Sequence, residues 1–284
     1  MKRSAARQPL LVVDGDSFAH RAFHAVPSSA FRRVDGAAGN AVSGFVSMLL
    51  RLWEAEQPRA VVVGWDTLDA PTYRTRLLPG YQSGREFDPE LVEQLERLPA
   101  LVSSTGIVCA KGAGYEADDF LAAAVAQEEA AGGTSLVATS DRDAFQLASP
   151  RTTILQPVRG AGELARIGPA EVRQRYGVEP AQVPDFIALR GDPSDRIPGA
   201  RGVGEKTAAA LLVEYGSLDA VLAAGRFEDE ADALRAYLAI ARLDPDAPLP
   251  PIEDHRPDWG ACAAAARALG LDRLADRLSE AGRP

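Results

Sequence analysis

Polar and apolar residues fall into two kinds of run along this chain of 284 residues. Short, nearly continuous apolar runs at 10–13, 59–63, 107–109, 135–139 and 152–155 read as buried strands, each closed by a turn-forming or polar residue. Between them the apolar spacing changes to that of helices. A short helix over 17–24 carries Arg21, and a long one over 40–56 aligns Val42, Phe45, Val46, Leu49, Leu50 and Trp53 on one face. Helical spacing returns over 89–104 and again from about Glu116, through an alanine-rich run that Gly132 and Gly133 stop. From 67 to 88 the apolar period lapses, leaving Arg74, Arg76, Tyr81 and Arg85 among prolines and glycines. That segment is expected to be an exposed, mobile connection, the kind of long loop that carries function. Strands alternating with helices predict an α/β fold with a mostly parallel sheet and helices on both faces.

Composition narrows the class. With 46% hydrophobic and 25% charged residues, the chain is an ordinary globular protein, with no apolar run of transmembrane length and no signal peptide. Two cysteines, Cys109 and Cys262, make a disulfide framework improbable and fit a reducing, cytoplasmic setting. With His20, His24 and His255 they show no zinc-ligand spacing. The net charge of −9 argues mildly against nucleic acid, yet a carboxylate pocket can coexist with an arginine-rich surface.

The carboxylates change that picture. Asp14, Asp66, Asp141 and Asp143 each follow the last apolar residue of an expected strand. In parallel sheets the ligand site lies beyond the carboxyl ends of the strands, so these four should gather at one edge. Glu116, Asp118 and Asp119, in Gly114-Tyr-Glu-Ala-Asp-Asp-Phe120, should face them from the first turn of a helix. One such aspartate alone is best read as a turn residue or cap. Seven carboxylates in one crevice raise each other's pKa and need compensation. The lysines are Lys2, Lys111 and Lys206, none placed to supply it. Oxygen-only ligands select hard cations, Mg²⁺ or Mn²⁺. Two ions about 4 Å apart would hold a phosphate, activate a water and stabilise a leaving oxygen. An aspartyl-phosphate reading of Val12-Val-Asp-Gly-Asp-Ser17 lacks a phosphoryl-holding lysine and leaves Glu116, Asp118 and Asp119 unused.

Farther along, Phe186-Ile-Ala-Leu-Arg-Gly-Asp-Pro-Ser-Asp-Arg-Ile-Pro-Gly199 adds Asp192 and Asp195, and leads into Gly199-Ala-Arg-Gly-Val-Gly-Glu-Lys-Thr-Ala208. Glu205 separates Gly204 from Lys206 and no strand precedes them, so this is not a nucleotide P-loop. A tight turn at a helix N-terminus, with the N–H groups of Gly202 and Gly204 outward and Arg201 and Lys206 adding charge, suits a duplex backbone.

In this order, these segments, with Arg21-Ala-Phe-His24, Ser140-Asp-Arg-Asp143 and Gly216-Ser-Leu218, resemble the 5′ nuclease domain of bacterial DNA polymerase I and the related flap endonucleases. The resemblance runs from about Leu10 to at least Ala224, and the tail after Asp244 carries no polymerase, which suggests a stand-alone member. It implies a PIN-like, FEN-type core over 1–184 with an arch region at about 67–105. A helix–three-turn–helix element for DNA binding would occupy 185–240, and a helical tail 241–284. By resemblance, Asp14, Asp66, Glu116 and Asp118 serve one metal region with Asp119 in support, and Asp141, Asp143, Asp192 and Asp195 serve the other. Arg21, Arg74 and Arg85 would steady the phosphate and the displaced strand. Tyr81, Arg201, Gly202, Gly204, Lys206 and Thr207 would contact DNA, with a K⁺ ion at the helix–three-turn–helix element.

The implied activity is metal-dependent 5′→3′ exonuclease and 5′ flap endonuclease action on DNA, by a monomer working alongside a DNA polymerase. The alternatives are a catalytically weakened branched-DNA binder and a nuclease preferring RNA or RNA–DNA hybrid ends. The chain departs from the family at Gln82 (usually lysine), His20 (usually tyrosine) and Arg196 (usually asparagine). Asp16 is an extra carboxylate, read first as a helix cap.

Overall fold

The computed structural model describes residues 7–67, 70–84, 86–158 and 163–283. Its centre is a six-stranded sheet: β1 (Leu10–Asp14), β2 (Ala60–Gly64), β3 (Val108–Ala110), β4 (Ser135–Ala138), β5 (Thr152–Pro157) and β6 (Leu164–Ile167). The spatial order is β3-β2-β1-β4-β5-β6. The first five strands are parallel, and β6 is an antiparallel edge on β5. The five expected strands are present to within a residue or two. The apolar pattern does not predict the edge strand β6, because its four residues follow a glycine-rich stretch and lack a β-branched run.

The helices are α1 (Gly15–Ala25), α2 (Asn40–Glu56), α3 (Tyr73–Leu77), α4 (Pro89–Ser103), α5 (Ala117–Ala130), α6 (Pro169–Tyr176), α7 (Val183–Arg190), α8 (Glu205–Tyr215), α9 (Leu218–Ala223), α10 (Ala231–Ala241), α11 (Trp259–Ala268) and α12 (Asp272–Ala281). Among the described residues, no helix is long and apolar enough to cross a membrane.

Strand side chains alternate between faces, so an all-apolar strand feeds two cores. Leu11 and Val13 face a core with α1, α2 and α4, which Trp259, Cys262, Leu274 and Leu278 of α11 and α12 complete. Leu10 and Val12 face the other, built from α5 and from α7 to α10. The sheet is therefore covered on both sides, and its open edge is the carboxyl end of the strands. Between β1 and β4 the chain reverses its direction of crossover, which is where α/β sheets leave a crevice.

Close backbone approach shapes that end. A Cβ on Gly64, the last residue of β2, would lie 2.5 Å from the carbonyl oxygen of Ala117, so only glycine lets the start of α5 sit on the strand end. Beyond α7, Asp192 and Ile197 exchange backbone hydrogen bonds of 2.8 Å in both directions, closing a tight loop. Gly191 enters that loop at φ +83°, with Pro198 O 2.6 Å from where a Cβ would stand.

Candidate active site

The strand-end carboxylates do converge. Asp14, Asp66, Glu116, Asp118, Asp141, Asp143, Asp192 and Asp195 line a single open crevice of roughly 520 Å³. They come from β1, the turns after β2 and β4, the start of α5 and the loop after α7.

Most are oriented by hydrogen bonds. Asp14 caps α1, accepting from Ser17 N at 3.0 Å, while its other oxygen accepts from Thr139 Oγ1 at 2.6 Å. The Thr139 hydroxyl also accepts from Asp141 N at 3.0 Å, so one residue ties the ends of β1 and β4 across the crossover point. Asp66 accepts from Ala117 N at 2.7 Å, which fixes it to α5. Its own N–H donates to Asp16 at 2.7 Å. Asp16 is thus a crevice carboxylate that holds Asp66 in place, and the expected cap role belongs to Asp14 instead. Glu116 accepts from Thr72 Oγ1 and from the Tyr81 hydroxyl, each at 3.0 Å. Asp192 accepts from Ser194 N at 2.8 Å and from Arg190 at 3.2 Å.

Asp119 stands behind the crevice, and Arg74 corrects an expectation. Asp119 is fully buried and does not line the crevice. Its carboxylate accepts from Glu116 N at 3.0 Å, from Asp244 N at 2.9 Å and from both terminal nitrogens of Arg74 at 2.7 Å. These contacts occupy its oxygens, so it braces the turn that carries Glu116 and Asp118 from behind, the supporting place expected of it. Arg74 is expected from the sequence on an exposed segment, steadying a phosphate. Instead it is 1% exposed, donates also to Ile240 O at 3.0 Å, and lies 3.5 Å from Glu116 and 3.6 Å from Asp118. A fork-shaped cation bonded to a carboxylate in two places is a strong and directional contact. The segment around α3 is accordingly docked, and Tyr81 is 5% exposed, with its hydroxyl turned into the crevice.

Arg21 also departs from expectation. It donates to Val158 O at 2.9 Å and lines a separate hollow beside α2, away from the carboxylates. Arg85 lies outside the described residues. Arg201, Gly202, Gly204, Lys206 and Thr207 form one exposed turn at the start of α8, and Gly204 is its N-cap residue.

The electrostatics are those of an undercompensated acidic site. Burial, with smaller contributions from Asp66 and Asp141, pushes Asp14 up to about 7. Burial and then Asp66 raise Asp16, and burial and then Asp141 raise Asp143. Burial raises Glu116 and Asp118 despite the opposing charge of Arg74. Burial and the negative charge of Glu116 hold the Tyr81 hydroxyl protonated, so it is a permanent donor.

Cation binding fits this donor set. The ligands are all oxygens, and Asp118 Oδ1 is buried without a hydrogen-bond partner at the crevice wall. Among the described residues no three such side chains are already drawn together at ligand spacing. Several of these carboxylates are turned onto backbone N–H groups.

Arg190, Arg142, His20 and Phe87 also line the crevice, and the sequence pattern does not single them out as site residues, although His20 stands out as a departure from the family. Arg190 lies inside the motif that supplies Asp192, directly before its first glycine, and that placement is the available signal. Thr139 and Thr72 give none, because their partners are 125 and 44 residues away.

Comparison with known proteins agrees with this arrangement. Residues 9–177 match the family model of the 5′-3′ exonuclease N-terminal resolvase-like domain, and residues 178–256 that of the 5′-3′ exonuclease C-terminal SAM fold. A 5′-3′ exonuclease of Mycobacterium tuberculosis (H37Rv) is 35% identical over 257 residues, covering 83% of this chain and 80% of that protein. DNA polymerase I of the same organism is 42% identical over 237 residues, again 83% of this chain. The chain spans about a quarter of the length of the polymerase relatives it matches. In fold it is similar to the T5 5′-exonuclease with zinc bound (TM-score 0.69, 19% identity, 97% of this chain and 100% of that one). It is likewise similar to the catalytic core of Rad2 in complex with DNA substrate (TM-score 0.63, 15% identity, 98% and 93%).

Proposed function

This chain belongs to the 5′-3′ exonuclease family, and from that premise we propose that it is a metal-dependent 5′→3′ exonuclease and 5′ flap endonuclease acting on DNA in replication or repair. The observation that carries the reading is the convergence of nine carboxylates, Asp16 among them, from five chain segments on one crevice, with a buried Asp118 oxygen that has no hydrogen-bond partner. Two or more Mg²⁺ or Mn²⁺ ions fit it. Asp14, Asp66, Glu116 and Asp118 would hold one region, and Asp141, Asp143, Asp192 and Asp195 the other. When bound, the ions supply a nucleophile at neutral pH and charge stabilisation for the phosphodiester.

The chain's own residues do the rest. Arg190 and Arg142 place positive charge on a crevice otherwise negative, drawing in the phosphate. His20 and Phe87, with rings 5.3 Å apart, offer an aromatic surface to an unpaired base. The exposed turn from Arg201 to Thr207, at the positive end of α8, would take the duplex backbone without reading sequence. A K⁺ ion at that turn belongs to the same proposal.

The test separates chemistry from binding. In Asp141→Ala, cleavage of a 5′ flap duplex should be abolished while fluorescence-anisotropy affinity stays within about threefold of wild type. Retained cleavage with lost affinity would refute the assignment.

A further inference from the structure

The two carboxylate groups are joined by a neutral bridge. Gln82 Nε2 donates to the Tyr81 hydroxyl at 2.9 Å and to Asp195 Oδ1 at 3.1 Å. Tyr81 in turn donates to Glu116 Oε2 at 3.0 Å. One continuous path therefore runs from Asp195, in the loop after α7, to Glu116, at the start of α5. The backbone around Gln82 is held just as firmly. Its N–H donates to Asp195 O at 3.2 Å, and next to it Ser83 Oγ accepts from Arg196 at 2.8 Å. Gln82 and Arg196 have φ of 48° and 58°, in the left-handed region that ordinary side chains avoid. Such strain persists where surrounding contacts over-determine the conformation, and it clusters at functional sites.

We propose that Gln82 is a positioning residue that sets the orientations of Asp195 and Glu116 together, so that the two halves of the crevice take up divalent cations as a unit. This rests on the metal-binding reading above. An amide suits this role, because it donates to both partners and adds no charge that would compete with a cation. Groups that orient metal ligands from behind typically change metal affinity 10–100-fold when removed.

The experiment is Mn²⁺ binding to the full chain without DNA, followed by titration calorimetry. Wild type is compared with Gln82→Asn, Gln82→Gly, Tyr81→Phe and the Tyr81→Phe/Gln82→Asn pair. Asparagine and glycine both tolerate positive φ, so they preserve the backbone while shortening or deleting the amide arm. The expected result is an approximately tenfold weakening of the weaker Mn²⁺ site in each single variant. The double variant should lose no more than about twofold beyond either single, because one path is cut once or twice. Thermal unfolding confirms that each variant is folded, and if Tyr81→Phe is not, the two Gln82 variants carry the test. Isotherms that superimpose on wild type would overturn the proposal. So would weaker flap binding in chelator with an unchanged Mn²⁺ isotherm, which would make Gln82 a substrate contact. If wild type itself binds no Mn²⁺, the metal reading of the crevice fails first and the bridge with it.

Discussion

The two walls of the crevice carry the same kind of side chain and are built differently. On the Glu116 wall, the carboxylates sit in the first turn of a buried helix, backed by Asp119 and by an arginine that is 1% exposed. On the Asp192–Asp195 wall they hang from a tight loop, Asp192 held by Ser194 N and the partly exposed Arg190, and Asp195 by Gln82. The first wall is part of the hydrophobic core's own scaffold, and the second is an attachment to it. Removing a group from the first should therefore cost folding before it costs chemistry, whereas the second can lose chemistry with the fold intact.

The sharpest way to break this contrast is Arg74→Met. It removes the bidentate partner of the fully buried Asp119, and breaking such a pair costs about 3–5 kcal/mol. Chemical denaturation should show that loss, and a value under about 1 kcal/mol would mean the wall is not part of the core.

A comparable effect needs no mutation. Asp14, Asp16, Glu116, Asp118 and Asp143 all bind their protons more tightly in the folded state than the unfolded carboxylates do. Their contribution to stability is complete below the unfolded carboxylate range and is lost as pH rises toward about 7, the value for Asp14. Each tenfold difference in proton affinity is worth about 1.4 kcal/mol, so Asp14 alone should cost the metal-free protein about 4 kcal/mol between about pH 4 and about pH 8. Unfolding curves in chelator measure this, and added Mn²⁺ should restore stability at the alkaline end.

Thr139→Val is expected to be milder. It removes the hydroxyl shared by Asp14 and Asp141 N, at about 1–3 kcal/mol. The smallest effect on folding falls on the other wall. Asp192→Asn should stay within about 0.5 kcal/mol of wild type, as partly exposed positions usually do. Its cleavage rate should nonetheless fall about 10²-fold, a typical loss for one electrostatic contact to the reacting centre. Equal losses of stability at Arg74 and Asp192 would erase the distinction.

The same contrast marks how far the sequence can be read. Strand ends announce themselves, because an apolar run stops at a polar residue and a parallel sheet brings all such ends to one edge. Asp14, Asp66 and Asp141 are legible for that reason, and Glu116 and Asp118 because they open an evident helix. What supports them is not. Arg74 meets Asp119 across 45 positions, from a segment whose lack of apolar period makes it look exposed. Burial there comes from a charge pair, and hydrophobic spacing cannot signal one. Asp16 and Asp14 illustrate a finer limit, since both stand where a cap could be and only the backbone direction decides which one serves α1. Gln82 looks like a lost cation in one dimension and is a bridge in three.

The most direct measurement is cleavage of a 5′-end-labelled flap duplex by the purified protein in Mg²⁺, in Mn²⁺ and in chelator. Metal-dependent product near the junction of single and double strand is the predicted result. Absence of product with either metal, despite tight flap binding, would contradict the account and leave a branched-DNA binding protein in its place.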